Sequence, residues 1–208
     1  MKFLLFFLIV LTGCFGNFNP EIPQDVLAEL QSDSTQMFNL SGDVDAYTAR
    51  NFEKHTEKLK TGDTALIYIY SDGGEVDSAE KIIGSMAKFK TICVADKALS
   101  AAFEIFQHCT VRIYMDRTLL MVHHHYMMFR SGTIVTAPEL LVDGLNAYIQ
   151  EASLLGRCAV RMKMTFSDLN DKIAKNGGDW YIYGDDIVKN NAADYHIKDS
   201  QVSKMTKK

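Results

Sequence analysis

Ala65-Leu66-Ile67-Tyr68-Ile69-Tyr70, followed at once by Ser71-Asp72-Gly73-Gly74, is the stretch on which the reading of the fold turns. Six successive apolar or aromatic residues rich in β-formers predict a strand buried on both faces of a parallel sheet, and the polar and glycine residues after them predict a turn. Val76, Ala79, Ile82, Ile83, Met86 and Phe89 then recur at steps of three and four, so one face of a helix packs back on the strand. Thr91-Ile92-Cys93-Val94-Ala95 is a second strand. It completes a β-α-β unit of the length a right-handed crossover requires.

The pattern continues in both directions. Upstream, Val44, Tyr47, Phe52 and Leu59 have helical spacing, and Gly62 stops that helix. Downstream, a short helix is predicted over residues 100–107, with strands over 111–115 and 119–122. A long helix follows over 138–164, its core stripe including Leu141, Leu145, Tyr148, Ala152, Leu155 and Met162. Shorter helices over 167–174 and 184–189 finish the domain. Alternating strands and helices mean an α/β fold with a mainly parallel sheet and a long helix after the core.

Composition agrees with one globular domain: 208 residues, 47% of them hydrophobic, three prolines, 13 glycines and no internal repeat. With 22 Lys and Arg against 26 Asp and Glu, the net charge is -4, and the absence of a basic run argues against a nucleic-acid partner.

The first residues read differently. Lys2 precedes an unbroken apolar run from Phe3 to Leu11, too short for the ~20 helical residues that span a bilayer and therefore an export signal. Leu11-Thr12-Gly13-Cys14 resembles the lipobox of bacterial lipoproteins, which implies acylation of Cys14 and removal of residues 1–13. Residues 14–37, polar with few apolar positions, read as a tether, and 38–208 as the domain. Phe15 in place of aspartate resembles the sorting pattern for the outer membrane, so the expected location is the cell envelope, facing the periplasm in a Gram-negative cell. Cys93, Cys109 and Cys158 lie in apolar segments and read as buried small hydrophobes; an odd count with no metal-like spacing gives no ground for asserting a disulfide.

Ligands of such sheets bind beyond the carboxyl ends of the strands, so three exits matter: Ser71 to Gly74, Ala98 to Ala102, and His123-His124-His125. The glycine pair lets backbone approach a ligand, because glycine tolerates positive φ. Ser100, with small neighbours between a strand and a helix, stands beside amides that favour developing negative charge; the plainer role for such a serine is a helix N-cap. Three histidines in a row suggest metal, but adjacent strand residues point to opposite faces and no further ligand has suitable spacing. No metal or cofactor is expected. A serine nucleophile does need a base, and a histidine at a neighbouring strand end would supply one.

Taken together these residues resemble the proteolytic subunit of the Clp protease, within the wider ClpP/crotonase superfamily, over about residues 38–197. Ile67 to Gly74 looks like that family's strand and Ser-Pro-Gly-Gly, with Asp72 in place of proline. Ala98-Leu99-Ser100-Ala101-Ala102 looks like its nucleophile turn, and Leu120-Met121-Val122-His123-His124 like its Met-Ile-His-Gln segment. The resemblance implies Ser100 as nucleophile, His123 as base, and the amides of Gly74 and Ala101 as the oxyanion hole. The family's aspartate follows the long helix, and Asp179, before Trp180, is the residue chosen. An ungapped match puts Lys175 there, so Asp171 or an arrangement without aspartate stays open. Ala102 and Phe103 add bulk beside the serine and are expected to narrow or block the first substrate pocket.

The implied activity is a membrane-anchored serine endopeptidase that cleaves peptides or unfolded proteins. Export would separate it from ATP, so the cleavage would be ATP-independent. In the relatives the long helix joins stacked rings, which implies a homo-oligomeric ring here. Two rivals are carried forward: a non-catalytic lipoprotein that keeps the fold for binding or assembly, and a signal-peptide-peptidase-like enzyme with a Ser-Lys dyad. Lys97 invites the latter, although it lies in the same turn as Ser100.

Overall fold

Both faces of the central sheet are apolar, and different helices cover each. The computed structural model describes residues 21–32, 37–127 and 135–202. Strands β1 (Met37–Val44), β2 (Thr64–Gly74), β3 (Lys90–Leu99) and β4 (Val111–His123) run parallel in spatial order β1-β2-β3-β4. The crossovers carry α2 (Ala46–Thr56), α3 (Val76–Met86) and α4 (Ala101–Gln107). Because every step goes one strand in the same direction, right-handed crossovers leave these helices on one face. There Phe52, Ile82, Phe103 and Phe106 pack with Ile67, Ile69, Ala95, Leu120 and Val122.

The alternate strand residues, Leu66, Ile92, Val94 and Ile113, point the other way and form a second cluster with Val26, Leu30 and Val202. Val26 and Leu30 belong to α1 (Gln24–Gln31), a helix inside the segment expected to be a tether. Val26, Leu27 and Leu30 are a weak sequence signal in so short and polar a helix, yet Val26 and Leu30 are buried, and each buried side chain of this size contributes about 1.5–3 kcal/mol. The packed domain therefore begins upstream of residue 38. Cys14, the apolar run before it and the lipobox lie outside the described residues.

Several local expectations change. Val44 ends β1 rather than starting a helix, and α2 opens at the N-cap Asp45, whose carboxylate accepts the Thr48 N–H at 2.8 Å. Ser71 to Gly74 is not a free turn: it continues β2, with Ser71 beside Ala98 and Gly74 beside Val44. The two strands expected over 111–122 are one element, β4, whose ladder with β3 breaks between Tyr114 and Leu119; Thr118 closes the gap by donating its hydroxyl to Ala95 O at 2.5 Å. Two short strands were not expected. β5 (Asp179–Tyr183) is antiparallel to the second half of β4, and β6 (Tyr195–Ile197) is parallel to the first half.

The long helix α5 (Ala137–Arg161) carries the clearest correction. Leu155 is buried as expected, and so is Met162, just past the helix end. Leu141, Leu145 and Tyr148 are exposed by 75%, 58% and 61%, together with Leu140, Val142 and Ile149. The apolar stripe therefore leaves the core halfway along and faces outward. Helices α6 (Phe166–Lys175), α7 (Asp185–Lys189) and α8 (Asp199–Val202) complete the described residues. The cysteines also depart from expectation: Cys93 and Cys109 form a disulfide between β3 and the residues after α4, while Cys158 is a free, buried thiol held above its ordinary pKa by burial.

Candidate active site

Ser100 sits where β3 gives way to α4, with φ 55° and ψ -126°. Left-handed φ is costly for a residue with a Cβ, about 1–3 kcal/mol, and persists only where surrounding contacts impose it. Here the Ser100 N–H donates to Met121 O at 2.9 Å, and its carbonyl accepts the N–H groups of Phe103 and Glu104 at 2.9 and 3.2 Å. The backbone is thus tied to β4 on one side and to α4 on the other. The hydroxyl is turned out toward the end of β4, and its Oγ lies 2.8 Å from His123 Nε2. The side chain does not cap the helix, so the N-cap alternative for its hydroxyl fails.

The ring of His123 is held at its other nitrogen too, because Nδ1 bonds to the carbonyl oxygen of His124. A carbonyl can only accept, so Nδ1 carries the proton and Nε2 is left to accept the Ser100 O–H. That is the tautomer a general base needs. The imidazole also stacks on Tyr126, with ring centroids 4.8 Å apart. His124 and His125 go elsewhere. His124 Nδ1 meets Glu151 Oε1 at 2.9 Å, and His125 Nε2 meets Glu104 Oε1 in the protein interior. Burial opposes the charge on His125, but the Glu104 hydrogen bond, with the charges of Glu104, Glu151 and Glu80, prevails and raises its pKa. Three neighbouring histidines therefore have three different partners.

Asp179 does not complete a triad in this conformation. It pairs with His123 across the β4–β5 ladder, which brings the two residues onto the same side of the sheet, but its carboxylate is exposed and makes no hydrogen bond to the ring. The His124 carbonyl occupies the Nδ1 position. Asp171 and Lys175 pair with each other on α6 at 3.8 Å. Lys97 is no base for Ser100: its ammonium lies 2.8 Å from Asp72 and 4.5 Å from the Tyr70 ring centre, and the Asp72 hydrogen bond holds its pKa above the ordinary lysine value.

The glycines of β2 meet the Ser100 turn at backbone distance. A Cβ on Gly73 would lie 2.6 Å from Leu99 O, 2.7 Å from Ser100 Cβ and 3.0 Å from Ala101 N. A Cβ on Gly74 would lie 2.4 Å from Val44 O. The Gly73 N–H is already used, donating to Ser71 Oγ at 3.0 Å, while Ser71 donates to Gly42 O. Ala101 heads α4, where the first amides have no acceptor within the helix. Ala102 and Phe103 are fully buried in the core, so their bulk supports the turn from within and does not line an open pocket. Glu104 and Glu151, the carboxylates that hold the histidine segment, were not among the expected residues. Glu104 lies on α4, the helix that Ser100 precedes, but Glu151 lies 27 residues after His124, and no local pattern connects them.

The sequence matches no protein-family model and no curated protein. Among solved structures, the chain superposes on a ClpP1 mutant from Listeria monocytogenes with a TM-score of 0.65, at 15% identity, over 79% of this chain and 92% of that one. At such identity the likeness concerns architecture alone. The chain has a ClpP-like α/β fold, with a mostly parallel six-stranded sheet.

Proposed function

We propose that this protein is a serine hydrolase that cleaves peptide bonds in peptides or unfolded chains, with Ser100 as nucleophile and His123 as general base. The observation that carries the reading is the 2.8 Å contact between Ser100 Oγ and an imidazole nitrogen left free to accept its proton. Ser100 Oγ attacks the carbonyl carbon as its proton passes to His123 Nε2. The C–N bond then breaks as that proton moves to the leaving amine. Water, deprotonated by the same nitrogen, releases the acyl group and restores the serine. The amides of Ala101 and Gly74 are the donors proposed for the oxyanion. Asp179, the direct partner of His123 in the β4–β5 ladder, is proposed as a carboxylate that stabilises the imidazolium when it forms. A Ser100–Lys97 dyad lacks support, because Lys97 is engaged by Asp72.

The proposed setting is the cell envelope, with Cys14 acylated and the domain in an ATP-free compartment. The Cys93–Cys109 disulfide supports export, since such bonds persist where the surroundings are oxidising. The exposed apolar stripe of α5 supports assembly into a homo-oligomer, as soluble monomers seldom leave so large an apolar surface uncovered.

A fluorophosphonate probe followed by intact mass and peptide mapping tests the chemistry. The expected result is one adduct on Ser100, absent in Ser100→Ala and formed about 10²–10⁴-fold more slowly in His123→Ala. No adduct on folded, assembled protein would overturn the hydrolase and leave a binding or assembly module of the same fold. Mass of the membrane-extracted chain reads acylation at Cys14 in the same measurement.

A further inference from the structure

Something other than an aspartate holds His123. The ring's Nδ1–H is taken by the carbonyl of the next residue, an arrangement that works only if the chain after His123 is itself fixed. It is fixed by a carboxylate from α5. Glu151 Oε2 accepts the His125 N–H at 2.7 Å while Oε1 meets His124 Nδ1 at 2.9 Å. One carboxylate thus spans the peptide unit that carries the His124 carbonyl. Glu151 is largely buried, with 14% of its side chain exposed, so the grip is shielded from competing water. A second anchor lies below it, where Glu104 of α4 holds His125.

We propose that Glu151 is a positioning residue for His123. By gripping His124 and His125 it aims the His124 carbonyl at Nδ1, and so gives the base the orientation and tautomer that a triad carboxylate supplies elsewhere. This rests on the hydrolase reading for its consequence, though not for its geometry. It also joins the seating of α5 to the competence of the base, because Glu151 lies on the same helix whose first half presents the exposed apolar stripe.

The test uses the full chain labelled with ¹⁵N-histidine, with His123→Ala to assign the resonances. In the unsubstituted protein His123 is expected to carry its proton on Nδ1. In Glu151→Ala its signals should move toward a mixture of tautomers. The fluorophosphonate labelling rate at Ser100 should fall about 100-fold, the scale of a misplacement near 1 Å. Glu151→Gln keeps an acceptor for the His125 N–H and should stay within about threefold of the parent rate, as should Gln150→Ala one position earlier on the helix. A proton on His123 Nε2 in the parent protein, or parental rate and tautomer in Glu151→Ala, would overturn the proposal. If Asp179→Asn slows labelling 100-fold while Glu151→Ala does not, Asp179 is the orienting group and the proposal fails. Should Glu151→Ala not fold, the parent spectrum and Glu151→Asp, too short to span both contacts, decide it. A parent protein that never labels, but shows Nδ1–H on His123 and its loss in Glu151→Asp, would overturn the hydrolase and leave the clamp standing.

Discussion

The chain leaves β2 and β3 at the same end of the sheet by two different devices. At the β2 exit the bend falls on glycines, Gly73 and Gly74, with φ of 97° and 149°. At the β3 exit the same kind of left-handed backbone falls on a serine, which accepts it at a cost. Glycine suffices at the first exit because only backbone is wanted there: a Cβ on Gly73 would strike the neighbouring turn. At the second exit the strained residue presents a hydroxyl, which meets His123 Nε2 at 2.8 Å. The two exits are complementary, one smooth enough for the other to lean on.

The largest effect in that comparison should come from roughening the smooth exit. Gly73→Ala combines a forbidding φ with contacts of 2.6–2.7 Å and should cost about 4 kcal/mol in chemical denaturation, with loss of Ser100 labelling in whatever folds. A stable, fully labelled variant would show that the exits do not depend on each other. The next effect concerns how the strained exit is held. The disulfide closes a loop of 16 residues that contains Ser100, and replacing both Cys93 and Cys109 by Ala should lower stability by about 3 kcal/mol. If labelling survives in the remaining folded protein, the hydrogen bonds to Met121, Phe103 and Glu104 suffice to hold the turn. The smallest effect has the opposite sign. Ser100→Gly should raise stability by about 1 kcal/mol while abolishing labelling, because glycine accepts this φ without strain. A loss of stability would mean that the Ser100–His123 contact outweighs the strain in the folded state.

How much of this was legible beforehand depended on range. β2, α3 and β3 were readable because each is defined by a run or a periodicity within about ten residues. Ser100 and His123 were readable because each follows such a strand. The stripe on α5 was legible as apolar but not as exposed, since periodicity marks a face without saying what meets it; Leu155 and Leu141 share the pattern and have opposite surroundings. β5 was missed as a strand of five residues, and α1 as a helix with only two apolar anchors. The Cys93–Cys109 pair was missed for a related reason, as two buried thiols do not reveal their separation until β3 and α4 are packed.

The sequence by itself determined an α/β domain of repeated β-α-β units with a serine and a histidine at adjacent strand ends, because local hydrophobic periodicity dictates elements and their order. Only the tertiary structure decided which nitrogen of His123 faces the serine, that the His124 carbonyl rather than Asp179 occupies the other, and that Glu104 and Glu151 hold that segment. All but the His123–His124 contact join residues far apart in the chain, and hydrogen bonds are set by distances and directions of a few tenths of an ångström that no local pattern encodes.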